Sequence, residues 1–173
     1  MSLLSRLTRS RRGLHVDGAD VRPLWHRVVA IAREKAWYQA GGVTDTIPGR
    51  FDAITMVLAT TLLRMEREDA LHAPSTRLTE LFVTDMDGQL RQGGVGDLVV
   101  GKHVAKLMST LGGRIGAIRD AAGDAAALEG AVARNVTLRD GASAAPMAAM
   151  LAQLARDLDA SAAADLLAGR IAR

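Results

Sequence analysis

Residues 86–107 read M-D-G-Q-L-R-Q-G-G-V-G-D-L-V-V-G-K-H-V-A-K-L, a stretch with helical patterns on both sides of a glycine cluster. Gly93, Gly94 and Gly96 form the cluster. Glycine adopts positive φ without steric penalty, so these residues predict a helix end and a tight turn. Asp97 follows at the N-cap position, where its carboxylate accepts hydrogen bonds from free backbone N–H groups. The stretch therefore predicts two helices joined by a rigid corner.

Helical spacing of apolar residues continues on either side of this corner, without an alternating strand pattern or an internal repeat. We therefore predict an all-α, single-domain bundle of about six to eight helices. Its parts are a flexible basic arm at 1–20, a helical domain at 21–140 and alanine-rich C-terminal helices at 141–173. These last helices either pack on the domain or trail from it, and their small side chains favour loose packing. The predicted helices begin at Pro23, Phe51, Pro74, Asp97, Ala117, Met147 and Ser161. The helix from Pro23 is predicted to run to Gly41-Gly42, and the helix from Asp97 to be interrupted by Gly112, Gly113 and Gly116. The helical stripe from Ala117 is predicted to continue through Val136 and Leu138.

The most hydrophobic predicted helix is Phe51–Glu68, and it follows a short polar loop at 42–49. Apolar residues cover most of its circumference. Such a helix is either buried on several sides or offers a second apolar face to a partner. Under the second interpretation Phe51 and Met56 are candidate partner contacts.

Composition restricts the classes of function. The chain has 173 residues, no cysteine and 3% aromatic residues, so a disulfide framework and thiolate chemistry are excluded and the core is aliphatic. Few lysines beside many arginines and alanines favour a GC-rich bacterial genome. The sequence shows no secretory signal and no apolar stretch long enough to cross a bilayer, which predicts a soluble or peripheral protein.

The net charge of +3 resides in the first twelve residues. Without the four arginines there, 18 basic residues stand against 19 acidic ones. The arm is either a solvated disordered tail or a basic amphipathic segment that contacts anionic lipid or RNA phosphate. Its candidate contact residues are Arg6, Arg9, Arg11 and Arg12, interleaved with Leu3, Leu4, Leu7 and Leu14.

Several chemical sites are excluded by their residues. Gly96–Lys102 matches the phosphate-loop pattern G-x-x-x-x-G-K, but it follows a helical pattern, contains bulky residues and has His103 where a hydroxyl belongs. The helix after the glycine corner begins with Asp97 and three apolar residues, so it does not predict sequence-specific DNA binding. The scattered histidines predict no metal site, and nothing in the sequence indicates a cofactor or an enzyme.

Three motifs occur together in order: Trp37-Tyr38 followed by Asp45-Thr46, then Gly49-Arg50-Phe51-Asp52, then the run Leu81–Met108 containing Gly-Val-Gly-Asp. This set resembles the ubiquinol–cytochrome c chaperone family over about residues 24–120. The chain departs from the family at 111–114, where Leu-Gly-Gly-Arg replaces Phe-Tyr-Gly-Arg, and at Ile118, where the family has tyrosine. The alanine-rich tail matches only loosely.

The resemblance implies a non-enzymatic assembly factor that binds newly made cytochrome b for respiratory complex III. In a bacterium the analogous role is expected to be cytoplasmic, at the inner membrane face. As a separate hypothesis, the charge of the basic arm suits contact with the ribosome or an anionic membrane surface. The candidate partner contacts are Phe51, Met56, Arg91, Val95, Lys102 and Lys106. Gly93, Gly94, Gly96 and Asp97 are expected to form a structural turn. The Arg91 side chain is expected to donate a hydrogen bond to this turn or to an acid packed beside it. Two alternatives remain: a small nucleic-acid-binding or regulatory module that uses the arginine arm, and a helical interaction protein unrelated to respiration.

Overall fold

The computed structural model describes residues 18–92 and 97–172. This part of the chain is an all-helical bundle, as the sequence predicts, with eight α-helices in it. The helices are α1 (Arg22–Ala32), α2 (Lys35–Gln39), α3 (Ile47–Met65), α4 (His72–Gln92), α5 (Asp97–Asp120), α6 (Ala125–Asn135), α7 (Ala145–Asp159) and α8 (Ala163–Leu167). A short 3-10 helix, Asp69–Leu71, leads directly into α4.

The central helix is α3, which packs against α1, α5 and α7. It begins at Ile47, inside the stretch predicted as a loop, because Thr46 caps it and Pro48 occupies its first turn. The Thr46 hydroxyl accepts a hydrogen bond from the N–H of Gly49 at 3.3 Å. Every side chain from Ala53 to Leu62 is buried. The apolar circumference of α3 therefore reflects burial on several sides.

The first predicted helix is two helices, α1 and α2, with Glu34 extended between them. Two side chains of α2 hydrogen-bond the last carbonyls of α1, which ends that helix. Trp37 Nε1 donates to the Ile31 carbonyl at 2.7 Å, and the Tyr38 hydroxyl donates to the Ala32 carbonyl at 2.9 Å. The break allows Trp37 to be fully buried.

The predicted interruption at Gly112, Gly113 and Gly116 is wrong, because α5 runs through all three glycines for 24 residues. Each helical glycine costs about 1 kcal/mol relative to alanine. The packing of α5 against α3 outweighs that cost, with Leu111 and Arg114 buried in the interface. A Cβ at any of the three glycines would meet open space.

The prediction that Val136 and Leu138 continue a helical stripe is also wrong, since the chain after α6 is extended. Leu138 forms an isolated antiparallel bridge with Val43, and the N–H of Thr44 donates to the Thr137 carbonyl at 3.0 Å. These contacts tie the segment after α6 to the turn before α3.

The C-terminal third packs tightly, contrary to the expectation of loose packing. The interior side chains of α7 are fully or nearly fully buried in the core that surrounds α3, and α8 packs on α1. The buried residues of α7 are Met147, Ala148, Leu151, Leu154 and Leu158.

Candidate functional site

The upstream motif residues meet around the first turn of α3. Arg50 Nε donates to Asp45 Oδ1 at 2.7 Å, and this hydrogen bond holds the pKa of the Asp45 carboxyl below its usual range. Gly49 is needed because a Cβ there would overlap the backbone carbonyl of Thr44. These residues fix the entry of the chain into α3, so their role is structural.

Asp52 and Arg114 form a buried ion pair between α3 and α5, with side chains 9% and 7% exposed. Arg114 Nη2 donates to Asp52 Oδ1 and also to the Asn135 carbonyl at 2.8 Å. The other carboxylate oxygen, Asp52 Oδ2, accepts from the N–H of Thr137 at 2.8 Å and from its hydroxyl at 2.7 Å. One carboxylate and one guanidinium thus hold together α3, α5 and the segment after α6.

An aromatic row lies beside the ion pair. The guanidinium carbon of Arg114 lies 5.5 Å from the centroid of the Phe51 ring, within cation–π range. Phe51 in turn contacts Phe82, with ring centroids 6.5 Å apart, and Phe82 meets the edge of Trp25 at 6.1 Å. Within the described residues Arg114 Nε and Nη1 have no hydrogen-bond acceptor. The row extends the contact from α3 to α4 and α1.

Sequence reasoning did not identify the partner of Asp52, although the sequence carried a signal for it. An acid in a helix that is apolar on all sides must be buried, and a buried carboxylate needs a counter-charge and hydrogen-bond donors. Arg114 belongs to a quoted motif, but so do Arg50 and Arg91, so the sequence predicts a buried counter-charge without identifying which arginine supplies it.

A surface groove of about 490 Å³ lies between α3, α5, α6 and α7. Its floor is aliphatic and its walls contain several alanines, whose small side chains leave the space open. The apolar lining residues are Leu63, Ile118, Ala121, Ala122, Leu128, Leu151, Ala152 and Ala155. The volume falls within the range of ligand-binding clefts. The alanine-rich C-terminal third therefore builds an apolar concavity.

Two ion pairs bridge helices at the rim of this groove. Arg119 Nη2 of α5 donates to both carboxylate oxygens of Glu66, the residue that follows α3, at 2.7 and 2.9 Å. Just beyond α3, Arg67 holds Asp159 of α7, with Nη2 to Oδ1 at 2.6 Å. All four side chains are about half exposed, so the pairs add little to stability. They position charges around the apolar floor.

The structure separates the predicted partner-binding residues. Met56 is fully buried in the core, and the expectation that it contacts a partner stays a prediction. Phe51 is half-buried beside Arg114. Lys102 and Lys106 are exposed one turn apart on α5.

The remaining predicted residues fall outside what the structure describes. Gly93, Gly94, Val95 and Gly96 lie outside the described residues, as do Arg6, Arg9, Arg11 and Arg12. Arg91 and Asp97 belong to α4 and α5, but their side chains lie outside the described part. The expected hydrogen bond from Arg91 to the turn stays a prediction.

Two further observations concern residues 18–92 and 97–172. This part of the chain holds no cluster of three or more His, Cys, Asp or Glu side chains suited to a metal ion. None of its helices combines the length and the apolar character that a membrane crossing needs.

The fold and the site define a small helical bundle with a buried ion pair at its centre and an apolar groove on its surface. Residues 39–173 match the family model described as ubiquinol-cytochrome C chaperone. The chain belongs to this family, and the match includes the alanine-rich third that builds the groove.

The crystal structure of the Cbp3 homolog from Brucella abortus is similar to this chain, with 34% identity and a TM-score of 0.77. The similarity covers 88% of this chain and 87% of that one. No curated protein is significantly similar in sequence.

Proposed function

We propose that this protein is a non-enzymatic chaperone that binds newly made cytochrome b and supports assembly of the ubiquinol–cytochrome c reductase complex. The observation that carries the proposal is membership in the ubiquinol-cytochrome C chaperone family over residues 39–173. The similarity to the Cbp3 homolog supports it over most of the chain. No cofactor is needed for this function.

The groove between α3, α5, α6 and α7 is the proposed client site. Asp45, Arg50 and Asp52 already have structural partners inside the fold, so these three side chains are not proposed as client contacts. An apolar floor rimmed by charges suits the helix-in-groove mode, in which aliphatic side chains of a client helix enter the cleft. Removing apolar surface from water supplies the binding free energy.

The basic arm and the lysines of α5 are proposed to act outside the groove. Lys102 and Lys106 are exposed and free to meet an anionic partner. The arginines at positions 6, 9, 11 and 12 suit an anionic membrane or ribosomal RNA. A location at the cytoplasmic face of a bacterial inner membrane is part of the proposal. Phe51 and Arg91 remain proposed contacts of the client.

The test is capture of cytochrome b with the tagged full chain from cells. Ala155→Trp fills the groove, and Ala149→Trp places the same side chain on an exposed position of α7 away from it. We expect Ala155→Trp to lower capture by about tenfold, equivalent to about 1.4 kcal/mol, and Ala149→Trp to leave it unchanged. Equal capture by both variants would remove the groove from the proposal. Normal complex III levels in a deletion strain would overturn the function.

A further inference from the structure

The charged side chains that line the groove are three arginines and two acids, and both acids are already paired. Arg119 binds both carboxylate oxygens of Glu66. Arg67 binds both oxygens of Asp159, at 2.6 and 3.2 Å. The third arginine is Arg156 of α7. Three positive charges against two negative ones leave a net charge of +1, and a cationic occupant would find both carboxylates engaged.

Within residues 18–92 and 97–172, Arg156 is the lining arginine that has no carboxylate partner. Its Nε and Nη2 both donate to Gln153 Oε1, at 3.2 and 2.6 Å. Gln153 in turn donates to Asp157, which does not line the groove. A guanidinium binds a carboxylate more strongly than a neutral amide oxygen, because charge-assisted hydrogen bonds are about twice as strong. An incoming carboxylate can therefore replace the amide of Gln153 as the acceptor.

The side of α7 that faces the groove places this guanidinium next to the aliphatic floor. Four lining residues of α7 recur at the i, i+3, i+4 and i+7 spacing of a single helical face: Ala152, Ala155, Arg156 and Asp159. The two alanines are half-buried, whereas Arg156 is exposed. An occupant that covers the alanines therefore has an accessible cation within about one turn of α7.

We propose that the groove preferentially binds a polypeptide helix whose apolar face is bordered by an acidic side chain, and that this carboxylate binds Arg156. The inference deepens the proposed function and rests on it in taking the groove as the client's site. A polypeptide is favoured over a lipid because the family is described as a chaperone. A helix that is apolar on all sides lacks the carboxylate, and a helix bordered by lysine is repelled by Arg156. The groove therefore distinguishes acidic amphipathic segments of a client from its purely apolar ones.

Binding of labelled peptides to the purified full chain tests this preference. The probes are three fluorescein-labelled helical peptides with leucines at i, i+3, i+4 and i+7 spacing, and they differ only at one position beside the leucines, which is Glu, Gln or Lys. Fluorescence anisotropy measures their dissociation constants. We expect the Glu peptide to bind about fivefold more tightly than the Gln peptide, the upper end for an exposed ion pair. The Lys peptide is expected to bind most weakly, and high salt to reduce the differences.

Variants of the protein identify the residue that causes the preference. Arg156→Gln is expected to abolish it, and Arg156→Glu to reverse it, so that the Lys peptide binds more tightly than the Glu peptide. The matched control is Arg134→Gln, which removes the same charge from an exposed position of α6 outside the groove lining. We expect this control to keep the parent preference. Ala155→Trp is expected to weaken binding of all three peptides, and circular dichroism checks that each variant is folded.

Equal affinity of the parent protein for the Glu and Gln peptides would overturn the inference, as would absence of binding by the Glu peptide or a preference that persists in Arg156→Gln. Dodecanoate that binds more tightly than the Glu peptide would identify a lipid carboxylate as the occupant. Peptide binding that weakens as the protein concentration rises would identify a second copy. Either result would overturn the assignment of a client helix.

The peptide reactions contain no cytochrome b, so their failure leaves the chaperone proposal standing. An intact Glu preference in a protein whose deletion leaves complex III levels normal would overturn the chaperone proposal instead.

Discussion

Replacing Asp52 by alanine is expected to destabilise the fold by about 3–5 kcal/mol, the typical result of leaving one charge of a buried pair alone. Among the described residues, Arg114 would keep only the Asn135 carbonyl as an acceptor, and Thr137 would lose both of its bonds to the carboxylate. The total free energy of unfolding of a globular domain is about 5–15 kcal/mol. The loss is therefore a large fraction of its stability.

Urea unfolding followed by circular dichroism measures this change. With a slope of about 2 kcal/mol/M, the midpoint is expected to fall by about 2 M. Asp45→Ala is the matched control, since Asp45 also pairs with an arginine near the start of α3 but is 62% exposed. We expect that variant to unfold near the parent midpoint.

A double-mutant cycle identifies the cause of the loss. In Asp52→Ala with Arg114→Met no buried charge is left unpaired, so the two changes together are expected to destabilise less than their sum by about 1–3 kcal/mol. Additive losses, or an Asp52→Ala midpoint equal to that of Asp45→Ala, would refute the role assigned to the pair.

Three further outcomes are expected. Gly49→Ala is destabilising because its Cβ would overlap the Thr44 carbonyl, whereas Gly112→Ala adds a methyl in open space and stabilises by about 1 kcal/mol; thermal melts that rank them the other way would contradict the packing. Asp124→Ala removes the N-cap of α6, whose carboxylate accepts hydrogen bonds from two backbone N–H groups, so the free energy of unfolding is expected to fall by about 1 kcal/mol. An unchanged unfolding midpoint would show that this cap does not stabilise the fold. Burial raises the pKa of Tyr38, the chain's one tyrosine, so the midpoint of its absorbance titration should lie above that of the urea-unfolded chain. Because the unfolded chain then ionises first, the free energy of unfolding should fall as pH rises beyond the ordinary tyrosine range. A native midpoint at or below that of the unfolded chain would argue against burial as the cause.

Periodicity predicted the helical class because apolar residues recur at helical spacing along the chain. It failed where tertiary contacts override local preference. The first predicted helix is divided where Trp37 Nε1 donates a hydrogen bond to the Ile31 carbonyl. Burial of Leu111 and Arg114 stabilises α5 as a continuous helix despite its three glycines. Neither effect has a signature within a short window of sequence.

The candidate site was harder to predict than the fold, because its parts are distant in sequence. The groove needs the alanines that follow α5 to lie near those of α7, and an alanine run by itself predicts only a weak helix. Asp52 could have been singled out as an acid in an apolar helix. The distance to its partner, 62 residues along the chain, could not be read from a local pattern.

The hydrogen bonds from Thr137 to Asp52 join residues 85 positions apart, so the bundle contains a contact of long sequence separation. During vectorial synthesis the central helix emerges long before the segment that completes the hydrogen bonding of its carboxylate. Until residue 137 is available, a chain ending within α5 or α6 carries an incompletely satisfied Asp52 and lacks the helix that covers one side of α3. A nascent copy of this protein therefore depends on its last third to finish folding, and in that interval it exposes the same kind of apolar surface as the clients of a chaperone.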